Sequence, residues 1–301
     1  MKKFKIIMCL YFIFFTFSAY CKNNKEDYLK DVIVLLPSKS KIKFDWVVPP
    51  AKEKQNAGCI FKMDNKGTAW FAFDGRYILN PNNGFLFKVK EQFDDFILTG
   101  NSKFLFIYKD YLCFIPSFDT KKIKENSLPL QPLAKLPARN CRLYSGYDNV
   151  YVSGKNQNKN EIYVVNFKEL QKMGDAGKVI NYKKLFTTEK NVSAVAGDGR
   201  DNFFAIDNLV VYVSTGIDKV SGYFLSPEEN ITGLAYDKTA GLFYCTKRKV
   251  GYVNKNGNLD FLYVKNPAIF VSDGNLYVYI PENDGLLRIK NIPEFKTCVQ
   301  K

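Results

Sequence analysis

The 301-residue chain contains no histidine. That excludes Ser-His-Asp and Cys-His catalysis and every metal site built on imidazole. Its seven cysteines, Cys9, Cys21, Cys59, Cys113, Cys141, Cys245 and Cys298, include no Cys-x-x-Cys pair. A zinc knuckle or a thioredoxin-type site is therefore disfavoured. No glycine-rich phosphate loop is present, because Gly197-Asp198-Gly199 reads as a β-turn and not as the opening of a helix. Arg-rich and aromatic-basic segments of the RNA-binding type are missing, so nucleic acid is not an expected partner. After Phe17 no apolar run is long enough to span a membrane.

The one long apolar run lies at the start. Lys2, Lys3 and Lys5 precede Ile6 to Phe17, and the small residues Ser18 and Ala19 follow. Residues 1–21 read as a signal peptide, which makes the rest secreted or periplasmic. Two readings of Cys21 stay open. It is either the acylated cysteine of a lipoprotein, with Tyr20 a poor fit just before it, or a residue beside an ordinary cleavage point. A lipid there is the only membrane attachment expected. Removing the signal takes three lysines from a net charge of +14 and leaves +11. The lysines are scattered, often beside asparagine, and Lys247-Arg248-Lys249 fits a hairpin tip. An acidic partner is favoured only weakly by that balance. In an oxidising compartment one or two disulfides are open to the remaining cysteines. Buried free thiols are an equal reading for Cys59, Cys113, Cys141 and Cys245, which sit in or beside apolar strand-like runs.

With 26 Phe and 19 Tyr against 2 Trp, and with Val and Ile throughout, the composition favours strands. The stretch NITGLAYDKTAGLFYC, residues 230–245, supplies a template: strand, turn, strand. A third strand runs from Val250 to Asn254, Asn256-Gly257 marks a hairpin, and Leu259 to Val264 is a fourth. The same plan repeats. Six units begin near residues 58, 95, 141, 192, 231 and 268, about 42 residues apart. That is the period of a propeller with four strands per blade. Small residues such as Ser193-Ala194-Val195-Ala196-Gly197 fall in first strands, where blades crowd together. The third unit carries an insertion, Phe167 to Gly177, with room for a short helix.

The expected fold is all-β, a six-bladed β-propeller of four-stranded antiparallel blades. The last unit shows three clear strands. An N-terminal strand is expected to complete it, with Val32 to Leu36 as first candidate and Ile42 to Val48 as the other. The domains read as 1–21 signal peptide, 22–50 N-terminal segment with the closing strand, 51–292 propeller and 293–301 C-terminal tail. That tail is expected to fold back, with Cys298 available as a tie.

On this repeat plan and on phrases such as ITGLAYDKTAGLFYC, the chain resembles six-bladed propellers of the NHL, YWTD and SMP-30/gluconolactonase kind. The WD40 and kelch signatures and a YWTD tetrad do not occur. The resemblance implies one enzymatic alternative, a sugar lactonase holding one divalent cation, Ca or Zn, at the channel mouth. Asp95, Asn140, Asn191 and Asn230 lie near first-strand starts and are the candidate ligands. Against it, Thr232 stands where the resemblance implies an acidic ligand, with Ser193 matching in the preceding unit. The carboxylate pairs Asp94-Asp95, Asp198 with Asp201, and Glu228-Glu229 fall at turns, where acids are normally solvated. Asn191-Val192-Ser193 and Asn230-Ile231-Thr232 match the glycosylation pattern but read as turns. The favoured reading is an exported monomeric propeller of the cell envelope with no catalytic residue and no cofactor. It binds another envelope protein or a polysaccharide, an anionic one on the weak evidence of charge.

Overall fold

The computed structural model describes residues 33–34, 36, 41–49, 60–64, 67–80, 85–99, 103–115, 127–146, 149–166, 169–170, 180–215, 220–226, 229–254 and 257–298. The expected signal peptide, Cys21 and Cys59 lie outside that set. Two strands come first, β1 (Ile33–Val34) and β2 (Lys43–Val48). The first blade is β3 (Ile60–Met63), β4 (Ala69–Phe73), β5 (Tyr77–Asn80) and β6 (Phe85–Lys88). The second is β7 (Asp95–Leu98), β8 (Phe104–Tyr108), β9 (Tyr111–Phe114) and β10 (Gln131–Lys135). The third is β11 (Arg139–Ser145), β12 (Asn149–Asn156), β13 (Lys159–Asn166) and β14 (Lys183–Thr188). The fourth is β15 (Val192–Gly197), β16 (Asp201–Ile206), β17 (Leu209–Ser214) and β18 (Val220–Leu225). The fifth is β19 (Gly233–Asp237), β20 (Gly241–Cys245), β21 (Lys249–Asn254) and β22 (Gly257–Tyr263). The sixth has β23 (Ala268–Ser272), β24 (Asn275–Ile280) and β25 (Gly285–Lys290). The six sheets form a six-bladed β-propeller.

Within a blade the strands pair antiparallel in sequence order. First strands of successive blades lie against one another, from β3 and β7 through to β19 and β23, so they form the inner ring. Because side chains alternate along a strand, each blade has two apolar faces. In β15, Ala194 and Ala196 pack toward blade five with Leu234, Leu242 and Tyr244. Val195 between them packs toward blade three with Tyr151, Ile162 and Val164. The hydrophobic interior is thus divided into six wedges, each between neighbouring blades. Small residues are needed at the narrow inner end. A Cβ on Gly233 would sit 2.6 Å from the Cys245 sulfur.

The sixth wedge joins the end of the chain to its beginning. Phe61 of β3 stacks on Tyr279 with ring centroids 4.4 Å apart, and Phe270 meets it edge-on at 5.0 Å. Ser272 Oγ donates to the Asp64 carbonyl at 3.0 Å, across 208 residues of sequence. The outer strand of blade six is β2, with Lys43 opposite Lys290 and Asp45 opposite Arg288. The first candidate for that place, Val32 to Leu36, sits elsewhere. Its Ile33–Val34 is a fifth strand on blade five, with Ile33 opposite Tyr263. The edge of β25 presents Arg288 and Lys290, and Asp45 of β2 forms ion pairs with both. No residue from Val32 to Leu36 is acidic, and the nearest acid, Asp31, lies just before them.

The C-terminal tail folds back as a short 3₁₀ turn, Ile292–Glu294, and a helical turn, Phe295–Cys298. Phe295 is buried against Phe261 at 4.5 Å and Phe243 at 5.2 Å. Cys298 is a free thiol, so the tail is tied by packing and not by a disulfide. Of the 167–177 insertion, Glu169 and Leu170 are described and helical.

Cys113, Cys141 and Cys245 are buried free thiols. Burial pushes the Cys113 and Cys141 thiols up to about 11 and that of Cys245 up to about 12. A thiol held protonated is a poor nucleophile. Native protein treated with iodoacetamide at pH 8 should therefore leave all three unmodified, while urea-unfolded protein is labelled fully. Native labelling at the rate of free cysteine, read by mass spectrometry, would mean that the wedges open readily.

Candidate functional site

The four residues singled out from the sequence do not form one constellation. Asp95 opens β7 and is 3% exposed. One of its oxygens accepts the Phe96 amide at 2.8 Å and the other the Leu143 amide of blade three at 2.9 Å. Lys62 of blade one lies 3.2 Å away and also donates to the Leu143 carbonyl at 3.1 Å. Three inner strands are thereby clamped together. The ammonium of Lys62 supplies the positive charge that a metal would otherwise bring to Asp95. A buried carboxylate already compensated in this way is a poor fit to a divalent cation.

Asn140, Asn191 and Asn230 are one repeated position. Each follows a charged residue at the entry to an inner strand: Arg139-Asn140, Lys190-Asn191 and Glu229-Asn230, with Lys265-Asn266 as the copy in blade six. Asn140, Asn191 and Asn230 are exposed. Asn140 and Asn266 turn the corner in the left-handed region, with φ of 49° and 48°. Asparagine accepts that conformation more readily than most residues. At these two corners the backbone conformation accounts for the asparagine.

In blades four, five and six the charged residue before the asparagine has a structural partner, on the hairpin joining the second and third strands of its own blade. Lys190 pairs with Asp207 at 3.2 Å, Glu229 with Arg248 at 3.0 Å, and Lys265 with Glu282 at 3.2 Å. This regularity is written in the sequence, but it appears only when the corners are aligned on asparagine and charge is followed across the blade.

Of the other acidic candidates, Asp198, Asp201 and Glu229 are also engaged. Asp198 Oδ1 takes the amides of Arg200 at 2.9 Å and Asp201 at 2.8 Å, and its second oxygen faces Lys238 at 3.4 Å. Burial pushes the Asp198 carboxyl up, but the two amides and Lys238 together hold it below the ordinary range. Asp201 accepts the Tyr212 hydroxyl at 2.6 Å. Glu228 lies outside the described residues. Ser193 and Thr232, at the positions compared with an acidic ligand, donate their hydroxyls to the carbonyls of Ile231 at 2.6 Å and Cys245 at 3.3 Å. Among the described residues no group of three or more Cys, Asp or Glu could hold a metal ion.

A cavity of about 660 Å³ opens between blades two and three. Asp110 and Lys135 line it from blade two, the connection Leu136-Pro137-Ala138 crosses it, and Arg139, Asn140, Lys155, Asn156 and Gln157 line it from blade three. Three cations and one carboxylate face this space, with three carboxamides among them. It contains one of the four residues marked from sequence, Asn140.

No protein-family model matches the chain, and no curated protein matches it in sequence. Its fold is similar to that of a gluconolactonase from Xanthomonas campestris, with a TM-score of 0.55, 7% identity, and coverage of 86% of this chain and 94% of that one. It is also similar to regucalcin, a calcium-binding protein from Agrobacterium tumefaciens. There the TM-score is 0.50 and the identity 16%, covering 76% of this chain and 88% of that one. At such identities the likeness is one of fold.

Proposed function

We propose that this protein is an exported, non-enzymatic propeller of the cell envelope that binds a partner or serves as a scaffold. The observation that carries this reading is Asp95. It is the one acid among the four marked residues, and Lys62 with two amides consumes it. Asp198 and Asp201 are likewise engaged by the protein itself. General acid–base or metal-assisted chemistry needs a carboxylate free to change partners. What remains is a rigid ring that displays loops, the usual place for recognition. The net positive charge supports an acidic partner, an envelope protein or a polysaccharide.

Metal analysis of the purified chain tests the reading against the lactonase alternative. Far less than one divalent ion per chain is expected, and chelation should leave the melting temperature unchanged. A tightly held ion would contribute about 3 kcal/mol at a hundredfold excess over its Kd, several degrees in melting temperature. One ion per chain together with chelator-sensitive hydrolysis of a sugar lactone would overturn the proposal. Mass spectrometry of the N-terminus of the protein recovered from cells tests export and separates plain cleavage from acylation at Cys21.

A further inference from the structure

Blade three lacks the pairing that the corners of blades four, five and six keep. In blades four, five and six the residue before the corner asparagine meets an opposite charge on the neighbouring hairpin. In blade three Arg139 lies directly opposite Lys155 across β11 and β12, and the hairpin turn offers Gln157. Like charges facing each other across a ladder destabilise it. Neither Arg139 nor Lys155 has an ion-pair partner among the described residues. Both line the cavity between blades two and three, as does Lys135.

The backbone is shaped to hold this arrangement. A Cβ on Gly154 would lie 2.7 Å from both the Ala138 Cβ and the Cys141 sulfur, and 3.0 Å from the Arg139 carbonyl. Glycine there lets the corner settle onto β12. The strand register sets Arg139 opposite Lys155, and both are exposed.

We propose that this cavity binds a phosphate-type oxyanion, held by Arg139, Lys155 and Lys135 with the carboxamides of Asn140, Asn156 and Gln157 around it. The missing negative partner of the corner is then the ligand. Lys135, Arg139 and Lys155 against Asp110 leave a site charge of +2, which matches a phosphate monoester dianion. Arginine adds a planar fork suited to two phosphate oxygens. The space of about 660 Å³ leaves room beside one phosphate for the rest of a larger molecule. Asp110 is placed to accept a hydroxyl of its carrier. The inference rests on the reading of the protein as a binding protein and names the chemistry of its partner.

Titration of the full chain with inorganic phosphate at low ionic strength, followed by calorimetry and thermal shift, tests it. Saturable binding and a rise in melting temperature are expected. Arg139→Gln and Lys155→Gln should each weaken binding roughly tenfold or more, the loss of one charge-assisted contact. Lys265→Gln, at a corner that has its own acid, should bind as the unaltered chain does. Without phosphate, Lys155→Gln should melt higher than the unaltered chain, because the like-charge pair is gone. That rise also shows that the variant folds. No saturable response, or variants at Arg139 and Lys155 that keep full affinity, would overturn the proposal. A second arm uses vesicles of phosphatidic acid, a lipid phosphate monoester, in phosphatidylcholine. Vesicle capture that Arg139→Gln abolishes places the phosphate on a lipid headgroup. A phosphate response without vesicle capture places it on a soluble molecule. Failure of the phosphate site leaves the non-enzymatic reading standing, since that falls only on bound metal and lactone turnover.

Discussion

A chain that begins at residue 50 should fail to form a stable ring, compared with one that begins at residue 22. The truncation removes β2 and leaves β25 as an open edge bearing Arg288 and Lys290. It also strips the two wedges flanking blade six. Ile42, with Phe44 and Trp46, leaves the wedge between blades five and six, and Val48 leaves the one between blades six and one. Fully burying a large apolar side chain is worth about 1.5–3 kcal/mol, so buried Ile42 and Val48 contribute about 3 kcal/mol or more, with Phe44 and Trp46 adding part of that value each. That is a large share of the 5–15 kcal/mol typical of a folded domain. The expected outcome is loss of cooperative melting, or aggregation through the exposed strand. A chain beginning at residue 41 keeps β2 and loses only β1, and should melt within a few degrees of the longer one. Equal melting temperatures for all three would show that β2 is dispensable.

The same strand makes stability depend on acid. The Arg288 side chain bonded to Asp45 outweighs the cost of partial burial and, with Lys290, lowers the carboxyl below its ordinary value. A depressed carboxyl stabilises the folded state above the unfolded pKa of about 4. That contribution is lost as the pH falls through the folded pKa. Part of the resistance of the full chain to melting should therefore disappear below about pH 4. In Asp45→Asn that part should already be missing at neutral pH.

Asp95→Ala should be the most damaging single substitution at the axis. It leaves Lys62 without its counter-ion and the amides of Phe96 and Leu143 without an acceptor, all at the meeting of three blades. Removing one partner of a buried pair costs about 3–5 kcal/mol. For a chain of this size that is about 10 °C in melting temperature. Lys62→Met and the double variant complete a thermodynamic cycle, in which the coupling should be large and favourable. A melting temperature for Asp95→Ala within two degrees of the unaltered chain would show that the clamp is not structural.

Much of the architecture was legible because turns and alternation are local. Units beginning near residues 58, 95, 141, 192, 231 and 268 correspond to inner strands opening at Ile60, Asp95, Arg139, Val192, Gly233 and Ala268. The stretch NITGLAYDKTAGLFYC shows why. Asp237 Oδ1 accepts the amides of Thr239 and Ala240, each at 2.7 Å, so the turn is written in a single side chain. The identity of the strand on blade six was harder to read. Val32 to Leu36 is the more apolar segment, while the strand that takes the place carries Asp45, which meets Arg288, 243 residues away.

The candidate site was less legible for the same reason. Asp95 stood out as an acid at an inner-strand start, and nothing near it in the sequence announces Lys62 as its partner. Asn140, Asn191 and Asn230 stood out as polar residues near inner-strand starts, yet the information lay one position earlier. Whether Arg139, Lys190 or Glu229 is satisfied depends on hairpin register, which brings Lys155, Asp207 or Arg248 to the opposite side of the corner. A sequence shows the charge; only the fold shows what it faces.

The wedge between blade six and blade one has a consequence in time. Each wedge needs two blades, so a newly made blade covers one face against its predecessor and leaves the other bare. The first blade waits longest, because Phe61 needs Phe270 and Tyr279, and Asp64 needs Ser272. The pairing of β2 with β25 spans almost the whole chain. Contacts so distant in sequence slow folding, since the loop must close before any contact rewards it. The ring is therefore a structure whose first-made strands find their partners last. During synthesis the chain stays open for nearly its full length, with its apolar blade faces in need of protection until the final strand arrives.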